Sequence, residues 1–279
     1  MTKFIGSIIT DCADPNARAR QELAFKSCFD GISPTFVGVE STSPMPVLEV
    51  AGNLVDQLGV VRSFSSDATK VILVNVAPRS SAIKEKHDNG TPFCYAWLDE
   101  QTLLVSTLNE CLTLARDLGI VGSVEVVHIP AVVEAIVTQG GLSAEEAEEI
   151  THTQFRSLNF LPRLARWVLD GRTVPSETQA LDDSVLSPVG HIVWYIDSFQ
   201  NGKTNILPED IDFEDGKEVT LADGTSATCH TRLADVATGE TALTIGSSGY
   251  GQKRWLEVVI GKGKAAEEYA LAVGSKVLK

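Results

Sequence analysis

The 279 residues are 43% apolar and 22% charged, with 22 glycines and 11 prolines. That makeup suits one large globular domain or two smaller ones, and it excludes a disordered, collagen-like or low-complexity chain. The 23 basic and 37 acidic residues leave a net charge of −14, which repels a phosphate backbone and argues against a nucleic-acid partner.

The first half alternates strand and helix patterns. Lys3–Thr10 is an apolar run that stops at Asp11, and residues 16–29 place Ala19, Leu23, Ala24, Phe25 and Cys28 at helical spacing. A strand is expected over 35–39. A helix follows over 46–58, with Pro46 in its first turn and Val47, Val50, Ala51, Leu54, Val55 and Leu58 on one stripe. Lys70–Val76 reads as a strand buried on both faces. Residues 93–98 and 102–107 form a strand pair around Asp99-Glu100, 109–118 a helix and 124–129 a further strand. Ser143-Ala144-Glu145-Glu146 spells a capping box, and a helix over 158–169 ends at Gly171.

Residues 172–188 are polar, hold two prolines and lack periodicity. A linker is expected there, between an α/β domain over 1–171 and a smaller domain over 189–279. Beyond it the strands are 191–196, 218–221, 226–230, 241–245 and 255–260. Asp223-Gly224 marks a hairpin because glycine supplies the positive φ such turns need. The fold class is therefore α/β: an N-terminal α/β sandwich on a mostly parallel sheet, plus a C-terminal antiparallel, barrel-like β domain.

Cys12, Cys28, Cys94, Cys111 and Cys229 are odd in number with no CxxC pair, and the five histidines are scattered. Free thiols in a reducing cytoplasm are expected, with no metal site. No stretch reaches the roughly 18 apolar residues of a membrane span, and Met1–Gly6 carries no leader pattern.

Several polar segments lie where α/β folds bind ligands, outside the carboxyl ends of strands. Asp11 closes the first strand; it either accepts hydrogen bonds from a vicinal diol such as a ribose or caps a turn. Arg79 and Ser80, after the buried strand, form either a fork for a carboxylate or a surface turn. Arg156, Ser157 and Asn159 open a helix, where free amides favour an anion and where ordinary capping also belongs. Asp197 and Asn201 follow one C-terminal strand, and Gly246–Tyr250 forms a small-residue loop; each is a ligand site or a hairpin turn. No GxGxxG follows a strand and no Walker loop is present, so a nucleotide gripped by its phosphates is not expected.

Together these segments resemble the S-adenosylmethionine (SAM) hydroxide adenosyltransferases, or SAM hydrolases, relatives of the fluorinase and chlorinase. Ile196-Asp197-Ser198-Phe199-Gln200-Asn201-Gly202-Lys203-Thr204-Asn205 is similar to the family's IDxFGNxxTN. Ser247–Tyr250, Trp255–Val259, Gly263–Glu268 and Val273–Val277 follow its SxGYLEIAxxxGxAAExLxLxxGxxV, and Thr10-Asp11 its TDxG. The resemblance implies a homotrimer with an adenosyl site formed by two domains of neighbouring subunits, SAM as substrate and no cofactor.

By position, Asp11 would hold the ribose hydroxyls and Asp197 the methionine ammonium. Asn201 would read adenine, with Phe199 beside it. Ser247 and Ser248 would bind the methionine carboxylate, and the backbone of Gly261 and Lys262 would line the adenine. The chain departs from the family at Gln200, in place of glycine, and at the inserted Gly251–Arg254. The water-activating Asp-Arg-His set is also missing: Ala77 stands at the Asp position and Gln154–Pro162 contains no histidine. Arg79, Ser80 and Arg156 are the expected replacements. The expected reaction displaces methionine from the ribose C5′ with water or hydroxide; the alternatives are a halide nucleophile or a catalytically silent SAM or nucleoside binder.

Overall fold

The computed structural model describes residues 3–40, 43–64, 66–77, 90–187 and 189–278. In chain order its elements are β1 (Phe4–Thr10), α1 (Pro15–Cys28), β2 (Thr35–Gly38), α2 (Pro46–Ser63), β3 (Thr69–Asn75), β4 (Phe93–Asp99), β5 (Thr102–Thr107), α3 (Thr113–Asp117), β6 (Ser123–Val127), α4 (Ile129–Thr138), α5 (Ala144–His152) and α6 (Arg156–Leu169). They continue with β7 (Glu177–Ala180), β8 (Val193–Ile196), β9 (Gly202–Thr204), β10 (Glu218–Thr220), β11 (Ser226–His230), β12 (Thr241–Tyr250), β13 (Lys253–Ile260) and α7 (Ala265–Glu268). None of the described helices is long and apolar enough to cross a membrane.

The chain divides into two compact units. The first holds residues 1–41, 65–112 and 119–187; the second holds 42–64, 113–118 and 188–279. The second unit thus takes α2 and α3 from the first half of the sequence.

The sheet of the first unit has the order β2-β1-β3-β5-β4-β6-β7. β2, β1, β3 and β5 pair in parallel, while β4 is antiparallel to both β5 and β6. The sheet is therefore largely parallel, with β4 and β7 reversed. Alternate residues of its strands (Ile8; Val71 and Leu73; Leu103 and Val105) bury one face under Phe25 of α1 and Phe29 just after it, Val132 and Ile136 of α4, and Phe160 and Leu164 of α6. Phe25 and Phe29 stack at 4.4 Å between centroids. Each buried ring contributes about 1.5–3 kcal/mol relative to exposure.

Two elements of this unit escape the hydrophobic pattern. Residues 129–138 form α4, in which Ile129, Val132, Val133 and Ile136 are buried; the β-branched run IPAVVEAIVT disguises the 3.6 period. Residues 177–180, within the stretch expected to be a linker, form β7 on the sheet edge beside β6. That strand is held by backbone pairing and buries no apolar stripe, so nothing in its composition marks it.

The second unit carries a smaller sheet of order β10-β11-β12-β13-β9-β8. It is antiparallel except for β11 and β12, which the ten-residue connection 231–240 allows to run parallel. The expected hairpin joins β10 to β11: Gly224 has φ +96°, and Asp223 accepts the Thr225 N–H at 2.8 Å. Val277 donates its N–H to the His191 carbonyl and accepts from Ala222, so the C-terminal segment ties residues beside β8 to the turn after β10. Val193, Leu221, Leu243, Leu256 and Val258 form the core.

Helix α2 lies tightly against this sheet because its contact face is stripped of side chains. A Cβ on Gly52 would fall 2.1 Å from the Trp194 ring, and one on Gly59 would fall 2.6 Å from the Gly249 carbonyl oxygen. Asp56 lies between them in sequence and bonds the same strand as Gly59 meets.

Candidate functional site

The first unit presents its polar residues at a topological switch point. The chain leaves β1 for β2 on one side and reaches β3 on the other, so a crevice opens at the carboxyl ends of β1 and β3. Asp11 sits there, buried, directly after β1. Its Oδ1 accepts the Ala77 N–H at 3.1 Å, and its own N–H donates to the Asn75 carbonyl at 3.3 Å. The Cys12 thiol donates to the same carboxylate at 3.7 Å. Asn75 is fixed in turn by the Thr107 hydroxyl, which donates to its Oδ1 at 3.2 Å.

Arg79 and Ser80 lie outside the described residues. Arg156 opens α6, where its Nη2 donates to the Thr91 carbonyl at 2.7 Å and its guanidinium lies 5.0 Å from the Phe93 ring centre. Burial pulls its pKa down. Arg156 Nε and Thr91 Oγ1 are buried with no hydrogen-bond partner among the described residues. The helix has no side-chain cap at Phe155, so its first amides keep their partial positive charge.

In the second unit, Asp197 organises the turn between β8 and β9. Its Oδ1 accepts the N–H groups of Phe199 (2.8 Å) and Asn201 (2.9 Å), and its Oδ2 accepts Asn201 Nδ2 at 3.1 Å. Three of a carboxylate's about four lone-pair positions are thereby used. Asn201 keeps its side-chain carbonyl oxygen as an acceptor suited to an exocyclic amine. Phe199 projects from the same turn, 76% exposed. Gln200 takes the left-handed conformation at φ +66°.

The Gln200 carbonyl accepts the Ala266 N–H at 2.8 Å, which ties this turn to the segment after β13. Within that segment Gly261 exchanges hydrogen bonds with Glu240 and Gly239 at 2.9 and 2.7 Å, and Lys262 is exposed at φ +54°. Two non-glycine residues thus hold left-handed backbone in the two segments expected to face adenine. Strain of this kind collects at ligand sites.

Ser247 and Ser248 lie within β12. The expected loop is strand, bulged between Ile245 and Gly249, and the inserted Gly251–Arg254 carries the tight turn into β13, with Gly251 at φ +61°. Bulges re-aim side chains next to sites. Ser247 is exposed, and its carbonyl accepts Arg254 Nη1 at 3.0 Å. Ser248 is buried in a polar chain that composition does not reveal. It donates to Asp56 Oδ2 at 2.9 Å and accepts from Lys203 Nζ at 2.7 Å, while Lys203 pairs with Glu257 at 3.6 Å.

The Gly249 N–H also reaches Asp56, at 3.0 Å. Burial pushes the Asp56 carboxyl up, against the pull of the Gly249 amide, the Ser248 hydroxyl and nearby Lys203 and Arg254. The Ser248 hydroxyl proton is thus committed to Asp56, which leaves Ser247 the more available donor for a carboxylate. The spacing Gly52-x3-Asp56-x2-Gly59, one helix face of small residues around a carboxylate, is the signal that would have found Asp56.

Among the described residues no group of three or more His, Cys, Asp or Glu side chains converges as a metal site. All five cysteines are free thiols.

Residues 191–278 match the model of the SAM hydroxide adenosyltransferase C-terminal domain. An uncharacterized conserved protein from Thermotoga maritima superposes with a TM-score of 0.68 at 15% identity, over 98% of this chain and 99% of that one. A conserved hypothetical protein from Thermus thermophilus superposes with a TM-score of 0.57 at 17% identity, over the whole of both chains. At these identities the likeness is one of fold. No curated protein matches the chain. The matched segment contains the Asp197–Asn201 turn, the bulged serines and Gly261-Lys262, and in it the chain is similar to the SAM hydroxide adenosyltransferases.

Proposed function

We propose that the protein binds SAM and displaces methionine from the ribose C5′, with water or hydroxide as nucleophile and adenosine and methionine as products. The oxygen–C5′ bond forms as the C5′–sulfur bond breaks, its electron pair stays on sulfur, and the water's second proton leaves to solvent. A sulfonium is already a good leaving group, so positioning and charge stabilisation suffice, with no metal or cofactor. The observation that carries this reading is the family match over the segment holding Asp197, Phe199, Asn201, Ser247, Ser248, Gly261 and Lys262. Asp11 at the switch point of the parallel sheet supports it.

In this reading Asp11 holds the ribose hydroxyls, Asn201 accepts from the adenine amine, Asp197 meets the ammonium and Ser247 meets the carboxylate. Arg79, Ser80 and Arg156 stabilise the incoming oxygen. A second reading, a silent SAM or nucleoside binder, is favoured by two observations. Ala77 replaces the family's acidic residue, and the Arg156 fork is already engaged by Thr91 and Phe93.

Incubation of purified protein with SAM, followed by chromatography, separates the possibilities. Adenosine and free methionine support hydrolysis. A 5′-halo-adenosine formed in chloride or fluoride supports the halide nucleophile, and calorimetric binding without product supports the silent reading. Asp11→Ala and Asn201→Ala are each expected to weaken adenosine binding about tenfold to a hundredfold, the loss of one or two hydrogen bonds to a charged or buried group. The homotrimer is part of the proposal, and a molar mass from light scattering tests it.

A further inference from the structure

Between β1, β3 and the start of α6, within the first unit, lies a partly open pocket of about 10 Å³, room for a single water molecule. Ile8, Leu73, Leu158, Leu161 and Pro162 supply its apolar wall; Gln21, Asn75 and Ser157 also line it. These three polar residues are all more than nine-tenths buried, at 6%, 9% and 8% exposure.

Their hydrogen-bonding capacity is only partly used. Gln21 spends its amide N–H groups on the Cys12 and Ala17 carbonyls at 2.8 and 3.2 Å, which leaves its Oε1 as an acceptor. Asn75 accepts from Thr107 through Oδ1, while its Nδ2 makes only a long contact of 3.9 Å to the Cys12 sulfur. The Ser157 hydroxyl has no partner among the described residues. Helix α6 adds another polar group, because Pro162 lies inside it and brings no N–H to the carbonyl of Leu158, one turn earlier.

We propose that this pocket is a binding site for one ordered water. The water accepts from Ser157 or Asn75 and donates to Gln21 Oε1 and the Leu158 carbonyl. Two to four such partners are what an ordered water of this kind requires. Water rather than an apolar atom fits, since residues with unused donors and acceptors line the space. It is a positioning site: it joins α1, the start of α6 and Asn75, whose carbonyl accepts the Asp11 N–H. Proline inside α6 is explained by the same site, because the carbonyl it releases has a new partner.

A high-resolution crystal structure of the ligand-free protein tests the site. Ordered density within about 3.2 Å of at least two of Ser157 Oγ, Asn75 Nδ2, Gln21 Oε1 and the Leu158 oxygen is expected. A dry pocket, or a halide in its place, overturns the proposal. Ser157→Ala and Pro162→Ala each remove one partner, the second by supplying the missing helix N–H. In whichever variant the water is lost, hydrogen exchange of the Asp11 amide is expected to speed up about tenfold, the equivalent of one hydrogen bond. Unchanged exchange in a water-free variant overturns the positioning role. Neither measurement involves SAM, so the outcome is independent of the proposed reaction.

Discussion

Glu240 shows how single residues hold the expected adenine-facing segment in place. Its Oε1 pairs with His230 Nε2 at 2.9 Å, its Oε2 accepts the Ala237 N–H at 2.8 Å, and its backbone carbonyl accepts the Gly261 N–H at 2.9 Å. Gly261 has to be glycine here, since a Cβ would fall 1.8 Å from the Ala237 oxygen. The His230 ring, then the Ala237 amide and the Thr228 hydroxyl, lower the Glu240 carboxyl from 4.5 to about 2. A carboxyl depressed in the folded state adds stability that is full above its unfolded pKa and is lost as pH falls through the folded one. Thermal unfolding is therefore expected to show a stability gap between wild type and Glu240→Gln that is full above pH 4.5 and closes as pH approaches 2. A gap independent of pH would remove the pair from this role.

Among the elements, α2 best shows packing overriding local preference. Alanine is favoured over glycine in a helix interior by about 1 kcal/mol, so Gly52 and Gly59 look like weak points in an 18-residue helix. The structure reverses that reading at Gly52. Its missing side chain is the space filled by the Trp194 ring, which is 1% exposed and held by a 3.1 Å hydrogen bond from its indole N–H to the Thr204 carbonyl. Overpacking of this kind costs about 1–3 kcal/mol, and an indole so confined has nowhere to move. Gly52→Ala is expected to lower the unfolding free energy by about 1 kcal/mol or more in denaturant titration. A stabilised variant would show that helix propensity wins at this position.

For the molecule as a whole, the division into units predicts where the chain can be cut. The matched segment 191–278 is only part of its unit, which also contains residues 42–64 and 113–118. A fragment of residues 189–279 loses the helix that covers Trp194 and leaves the Ser248 hydroxyl and Gly249 amide without Asp56. It is expected to lack a cooperative thermal transition by circular dichroism. A sharp transition like that of the full chain would show that α2 is dispensable.

Local patterning in the sequence was enough to determine much of this protein. The period-2 and period-3.6 runs located most of the strands and helices, the Ser143–Glu146 box formed as spelled, and Asp223-Gly224 made its hairpin. Residue order also carried the resemblance over 191–278, because the IDxFxNxxTN spacing is kept although Gln200 holds a left-handed backbone that glycine would adopt without strain. Tertiary structure alone decided the rest. The β7 edge strand, the bulge that makes Gly246–Tyr250 a strand, the Asp56–Ser248–Lys203–Glu257 chain and the pocket between β1, β3 and α6 join residues far apart in sequence, through backbone pairing and buried polar contacts. Apart from the Gly52-x3-Asp56-x2-Gly59 helix face, neither leaves a periodic trace along the chain.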